Sequence, residues 1–311
     1  MEDLYEEGSG CILGGVCTLC PRRCGPGVSF CGAPDEGAVV AKSMVHHWEE
    51  PPISGQRGSG AVFFAGCNLR CAYCQNYEIS RRAAGDLLSD RALADVFLRL
   101  EQEGVHNVNL VSPTPYVPHI TAAVELARQS GMKLPVVYNT GGYDTVEALR
   151  RLDGLVDIYL PDIKYVDDAS AVRYSAAPGY FETASAAVLE MRRQVPAAVF
   201  DGEGIMRRGL IIRHLILPGR RRDAMRVLDF VREQAPEAYV SLMAQYVPMG
   251  RAARFPEIGR RITSFEYDSV IAHFFEIGLQ NGFTQERASA VRAYIPDFHA
   301  EPAAGDVRRP G

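Results

Sequence analysis

Apolar positions between residues 61 and 243 fall into short continuous runs separated by longer stretches of helical period. AVFFAG (61–66) reads as a first strand and ends directly at a cysteine. Leu93, Val96, Phe97 and Leu100 recur at helical spacing, with Gly104 as the stop. NVNLV, centred on 108–111, is a second strand, and a helix from about Pro118 carries Ile120, Val124 and Ala127 on one face. LPVVYN (134–139) is a third strand. Asp144 and Glu147 then form a capping box for a helix bearing Leu149 and Leu152. VDIYLPD (156–162) is strand four, followed by a helix around 182–193 and the β-branched run LIIRHLILPG (210–219) as strand five. A helix at 223–234, the strand AYVSLM (238–243) and a last helix near 268–280 complete the pattern.

Strand and helix alternate six times, which implies parallel pairing with crossover helices. An open doubly wound sheet and a barrel both fit that rhythm. In a barrel the chemistry sits at the C-terminal ends of the strands. Cys67, Ser112, Asn139, Asp162 with Lys164, His214 and Gln245 fall at or near those ends.

The first 56 residues break the rhythm. They are rich in Gly, Pro and Cys without a sustained helical or strand period, and read as a small cysteine-rich module that metal ligation would stabilise. EEPPISGQRGSG (49–60) reads as the connection to a core spanning 57–298, with 299–311 as a flexible tail. A chain of 311 residues, 47% of them apolar, is long enough for one large α/β domain with such an appendage. The net charge of -5 gives no general attraction to nucleic acid or an anionic membrane. No apolar stretch approaches the roughly 20 residues of a membrane span. The acidic start MEDLYEEGSG is unlike a secretory signal, so a cytoplasmic location is expected.

All eight cysteines lie at or before residue 74. In a reducing compartment such crowding points to metal or iron–sulfur ligation rather than disulfides. GCNLRCAYCQN (66–76) contains C-x3-C-x2-C, in which Cys67, Cys71 and Cys74 can reach three irons of a cubane and leave the fourth open to chemistry. Three ligands of a zinc site completed elsewhere is the plainer alternative.

This motif, with Tyr73 just before its third cysteine, resembles that of the radical S-adenosylmethionine (SAM) superfamily. From about Cys17 to residue 280 the chain is similar to pyruvate formate-lyase activating enzyme-like proteins, and especially to a subgroup with a cysteine-rich N-terminal extension. The resemblance implies a partial (β/α)6 barrel, a [4Fe-4S] cluster on Cys67, Cys71 and Cys74, and SAM chelated to the open iron. It also implies an external one-electron donor such as flavodoxin or ferredoxin, and hydrogen-atom abstraction from a substrate by the adenosyl radical. VSPTPYVP (111–118) stands where many members carry a Gly-Gly-Glu stretch that meets the SAM amino group. Lacking those residues, it leaves Ser112, Thr114 or backbone carbonyls to serve. YNTGGY (138–143) supplies Asn139 and Thr140 near the ribose and methionine moieties, and LPDIKY (160–165) supplies Asp162 and Lys164 for the methionine carboxylate or the substrate. RHLILPG (213–219) adds His214, although Arg213 and His214 alternate faces and only one can enter a barrel.

Plainer readings accompany these. Asp162 and Lys164 can form an ordinary salt bridge, and Tyr138, Tyr143, Tyr159 and Tyr246 can pack strand ends as well as line a cavity. Cys17, Cys20, Cys24 and Cys31, spaced C-x2-C-x3-C-x6-C, suit either a tetrahedral zinc or a second [4Fe-4S] cluster, with Cys11 spare and His46 and His47 as substitutes. Activation of a glycyl-radical enzyme is the activity the resemblance suggests. Modification of a peptide or small metabolite is the alternative, and a non-catalytic zinc or iron–sulfur interaction protein is the reading of another class.

Overall fold

The computed structural model describes residues 6–7, 15–81 and 84–284. Cys11, the end of the expected core (285–298) and the expected tail (299–311) lie outside the described residues. The main sheet contains β1 (Ala38–His46), β2 (Ser59–Phe64), β3 (Asp86–Leu88), β4 (Val108–Val111) and β5 (Val136–Thr140). It continues with β6 (Ile158–Pro161), β7 (Met206–Leu215), β8 (Tyr239–Met243) and β9 (Gly282–Thr284). Their spatial order is β9-β8-β7-β6-β5-β4-β2-β1-β3. Every neighbour from β2 to β9 pairs in parallel, while β1 runs antiparallel to both β2 and β3.

The crossovers are α1 (Asp90–Gln102), α2 (Val117–Gln129), α3 (Val146–Arg150), α4 (Asp168–Ser175) with α5 (Tyr180–Gln194), and α6 (Arg221–Gln234), with α7 (Ser264–Glu276) after β8. The strands alternate between two apolar layers. Val62, Leu110, Tyr138, Tyr159, Leu210 and Ile212 face outward into the core beneath the helices. Val137, Ile158, Leu160 and Ile211 point inward, where Ile53 and Met206 join them. Side chains from β4, β5 and β7 meet on the single carboxylate of Glu49. Three strand spacings of a flat sheet, about 14 Å, would hold them apart, so the sheet is curled. Edge strands β3 and β9 leave it open. The architecture is the partial (β/α)6 barrel.

Two local expectations change. Segment 1–56, read as lacking a strand, supplies the nine-residue β1, whose register against β2 runs from Val40↔Phe64 to His46↔Ser59. Strand pairing over a connection of a dozen residues is not visible in composition. The expected capping box of Asp144 and Glu147 is also replaced. Thr145 caps α3 by accepting from Ala148 N, because the Asp144 carboxylate is engaged by Thr114, Tyr138 and Thr140.

Candidate active site

The first barrel strand ends in the loop 66–76, and this loop is tied down on several sides. Arg70 N and Ala72 N donate to Ser175 O and Tyr174 O, at 2.9 and 2.7 Å, and Arg251 N donates to Ala72 O at 2.7 Å. The Arg70 guanidinium donates to the carbonyls of Cys67, Leu69 and Phe30. A hydroxyl chain also reaches a thiol: Tyr73 and Tyr165 are 2.6 Å apart, Tyr165 meets Ser175 at 2.8 Å, and Ser175 Oγ donates to Cys71 Sγ at 3.1 Å.

Cys67, Cys71 and Cys74 line one cavity of about 240 Å³. Ser112, Asn139, Thr140, Asp162, Lys164, Arg213 and Gln245, at or just past strand ends, share it, as do Trp48 and Glu49 beyond β1. Burial and the neighbouring Cys71 push the Cys67 thiol up to about 12 and the Cys74 thiol up to about 11. An ionised set therefore calls for compensating positive charge. None of the described cysteines is in a disulfide. Among the described residues no three His, Cys, Asp or Glu side chains are grouped as a metal-holding set. The donor chemistry, three soft thiols on one loop opening into a cavity, fits an iron–sulfur cluster with one iron free.

Across the cavity the charges are paired. Asp162 accepts from Lys164 Nζ at 2.5 Å and from Arg213 Nε at 2.9 Å. Arg213 also reaches Glu49 at 3.3 Å and Asn139 Oδ1 at 2.5 Å. Burial alone would raise the Asp162 carboxyl, but Arg213 and Lys164 outweigh it and hold it below its usual range. Glu50, next in sequence to Glu49, is held above the carboxylate range by burial against the pull of Arg213.

Five of the seven residues expected to contact SAM, namely Ser112, Asn139, Thr140, Asp162 and Lys164, line the cavity. The Asp162–Lys164 ion pair is present and belongs to this larger network. Ser112 has a left-handed backbone (φ 59°), rare for a side chain other than glycine and a strain of about 1–2 kcal/mol. Thr114 and His214 lie elsewhere. Thr114 is buried and donates to Asp144 Oδ1 at 2.7 Å. Outward-facing His214 gives its Nδ1 proton to Ile163 O at 2.7 Å, and its alternate, Arg213, takes the inward position on β7. Tyr138, Tyr143, Tyr159 and Tyr246 are packing residues, nearly or fully buried in the outer core. His46 and His47 are not beside the N-terminal cysteines. His46 lines the barrel cavity and packs edge-on against Phe63, whereas His119 and Asp35 line the small cavity of Cys17, Cys20 and Cys31.

Burial pushes the His214 ring below its ordinary range, although the Ile163 carbonyl pulls the other way. A folded value below the unfolded value of about 6.5 means that its stabilising effect is complete above that pH and is lost as pH falls. The thermal midpoint is expected to drop between about pH 7 and pH 5, and less steeply in His214→Leu. An equal slope in both proteins, measured by calorimetry, would refute this.

Residues 61–206 match the family model of the radical SAM superfamily. The chain carries a radical SAM domain. The matched span contains the cysteine loop and extends to the start of β7. The chain is 29% identical over 220 residues to an uncharacterized protein of Methanocaldococcus jannaschii, a match covering 68% of this chain and 61% of that protein. Solved structures of low identity were also found. Streptococcus suis SuiB bound to S-adenosylmethionine is 12% identical, with TM-score 0.47 and coverage of 71% of this chain and 48% of that one. Methylornithine synthase is 15% identical, with TM-score 0.46 and coverage of 67% and 59%. HydG, a maturase of the [FeFe]-hydrogenase, is 13% identical, with TM-score 0.47 and coverage of 70% and 48%. The chain thus spans about half to three fifths of the length of these proteins. Among the described residues no helix is long and apolar enough to cross a membrane.

Proposed function

We propose that this radical SAM domain abstracts a hydrogen atom from a peptide or small metabolite. Cys67, Cys71 and Cys74 hold a [4Fe-4S] cluster, and Ser112, Asn139, Asp162, Lys164 and Arg213 meet SAM and substrate. The observation that carries this reading is the single cavity onto which the three thiols and these strand-end side chains converge. A cluster held by Cys67, Cys71 and Cys74 would supply one-electron reductive cleavage of SAM, the chemistry that lets the adenosyl group remove a hydrogen atom from the substrate.

The chain's own residues do the rest. Ser175 donates to Cys71 Sγ at 3.1 Å, a hydrogen bond that holds this sulfur in place on the loop. Arg213 and Lys164 present positive charge suited to a carboxylate, held in place by Asp162. Asn139 adds an amide on the same wall. Trp48, 56% exposed, stands where the cavity meets solvent and can pack against an entering substrate. The domain needs a one-electron donor from outside, such as flavodoxin or ferredoxin.

Anaerobic reduction of the reconstituted protein with SAM is expected to release 5'-deoxyadenosine. None released from protein with a complete cluster would sink the enzyme reading and leave a metal-binding interaction protein. The Asp162-Ile163-Lys164 segment, similar to that of activating enzymes, favours a second reading, installation of a glycyl radical on a partner protein. A protein-borne glycyl signal in electron paramagnetic resonance (EPR) after mixing with such a partner would support it over small-molecule turnover.

A further inference from the structure

The proposed function leaves Cys17, Cys20, Cys24 and Cys31 without a task. They lie within the segment 17–31, in which Cys17 N donates to Cys24 O at 2.8 Å and so brings the first and third of them together. Cys17, Cys20 and Cys31 line a cavity of about 30 Å³, and Asn68 of the catalytic loop closes the same cavity. All four thiols are free of disulfides.

This segment grips the catalytic loop at several points. Gly66 has φ +79°, and a Cβ there would sit 2.4 Å from Cys31 O, so backbone touches backbone immediately before Cys67. Arg22 Nε donates to Asn68 O at 3.0 Å, and another of its nitrogens reaches Ala176 O. The Arg22 and Arg70 guanidiniums both lie over the Phe30 ring, at 3.5 and 4.2 Å from its centroid. Arg70 joins the carbonyls of Phe30 and Cys67. On the other side, Thr145 N donates to Leu19 O at 3.1 Å, and Thr18 Oγ1 donates to Glu147 at 2.7 Å.

We propose that Cys17, Cys20, Cys24 and Cys31 bind one thiolate-ligated metal centre. Through the Cys31 carbonyl and the Arg22–Phe30–Arg70 stack, this centre holds the loop of Cys67, Cys71 and Cys74 in its cluster-binding shape. The second half rests on the iron–sulfur reading of those three cysteines. The N-terminal residues are positioning residues, acting through a backbone contact and two guanidiniums. Short of apolar side chains, the segment needs ligation to become rigid enough to support a neighbour.

The test measures iron, sulfide and zinc per chain after anaerobic reconstitution, with EPR of the reduced protein. It compares wild type, Cys67→Ala/Cys71→Ala/Cys74→Ala, Cys17→Ser/Cys24→Ser, and Arg22→Leu, which keeps every thiol. The triple variant is expected to retain about one zinc or about four irons, which distinguishes the two kinds of centre. Cys17→Ser/Cys24→Ser loses that metal. Both it and Arg22→Leu hold the catalytic cluster about tenfold more weakly against a chelator, the usual scale for lost supporting contacts, with an altered EPR line shape. A triple variant that binds neither metal overturns the site. A full catalytic cluster with an unaltered spectrum in both N-terminal variants overturns the coupling. A wild type that matches the triple variant overturns the proposed function and the coupling, while the N-terminal site stands.

Discussion

Cys71→Ala is expected to lower 5'-deoxyadenosine formation by at least about 1,000-fold, equivalent to about 4 kcal/mol or more of barrier. Cys71 is the middle ligand of the proposed set, and two thiols on a loop cannot hold a cubane that needs three. Iron content should fall with activity. Ser175→Ala provides the contrast. It keeps all three thiols and removes the 3.1 Å hydrogen bond to Cys71 Sγ, along with the 2.8 Å contact to the Tyr165 hydroxyl. Its iron content should stay near wild type, with activity reduced by about tenfold or less, the scale of one ordinary hydrogen bond. Cys71→Ala protein that still cleaves SAM at the wild-type rate would remove the cluster from this loop.

The second large effect is expected at Arg213. Its side chain bridges Glu49, Asp162 and Asn139 inside the barrel. Arg213→Leu leaves two largely buried carboxylates without their guanidinium, and because Asp162 keeps Lys164 the cost falls at the lower end of about 3–5 kcal/mol. At about 2–4 °C per kcal/mol for larger domains, the thermal midpoint should fall by roughly 10 °C. Adding Glu49→Gln should restore part of the loss by removing one stranded charge, a coupling read by a double-mutant cycle. Arg213→Lys should fall between them, because an ammonium cannot span the same three partners. An unchanged midpoint in Arg213→Leu would mean that water already compensates these carboxylates.

Legibility in the sequence varies with the range of the interaction. The parallel units from β2 to β8 are legible close to their observed limits, because strands buried on both faces appear as apolar runs cut by Gly, Pro and polar turns. The cysteine loop is legible because its spacing is itself the chemistry. β1 is not: AVVAKSMVH sits in a Gly-, Pro- and Cys-rich segment, and only its partner β2 makes it a strand. Glu49 reads as part of a connection, since Glu-Glu-Pro-Pro resembles a solvated linker. Nothing local says that this carboxylate turns into the barrel to meet residues 60, 90 and 164 positions away.

By itself, the sequence determined the α/β class, the parallel strands from β2 to β8 and the loop that carries three thiols, all consequences of short-range period and spacing, whereas the seventh parallel strand, β9, appears only in the structure. Tertiary structure decided which face of β7 looks inward and so put Arg213, not His214, in the cavity. Alternation along a strand assigns the two residues to opposite faces without saying which face is which. It also decided that Thr114 is spent on Asp144, that His119 rather than His46 neighbours the N-terminal cysteines, and that the Cys31 carbonyl presses against Gly66. Each of these depends on curling the sheet and docking a distant segment, and burial energy is set by what arrives on the other side.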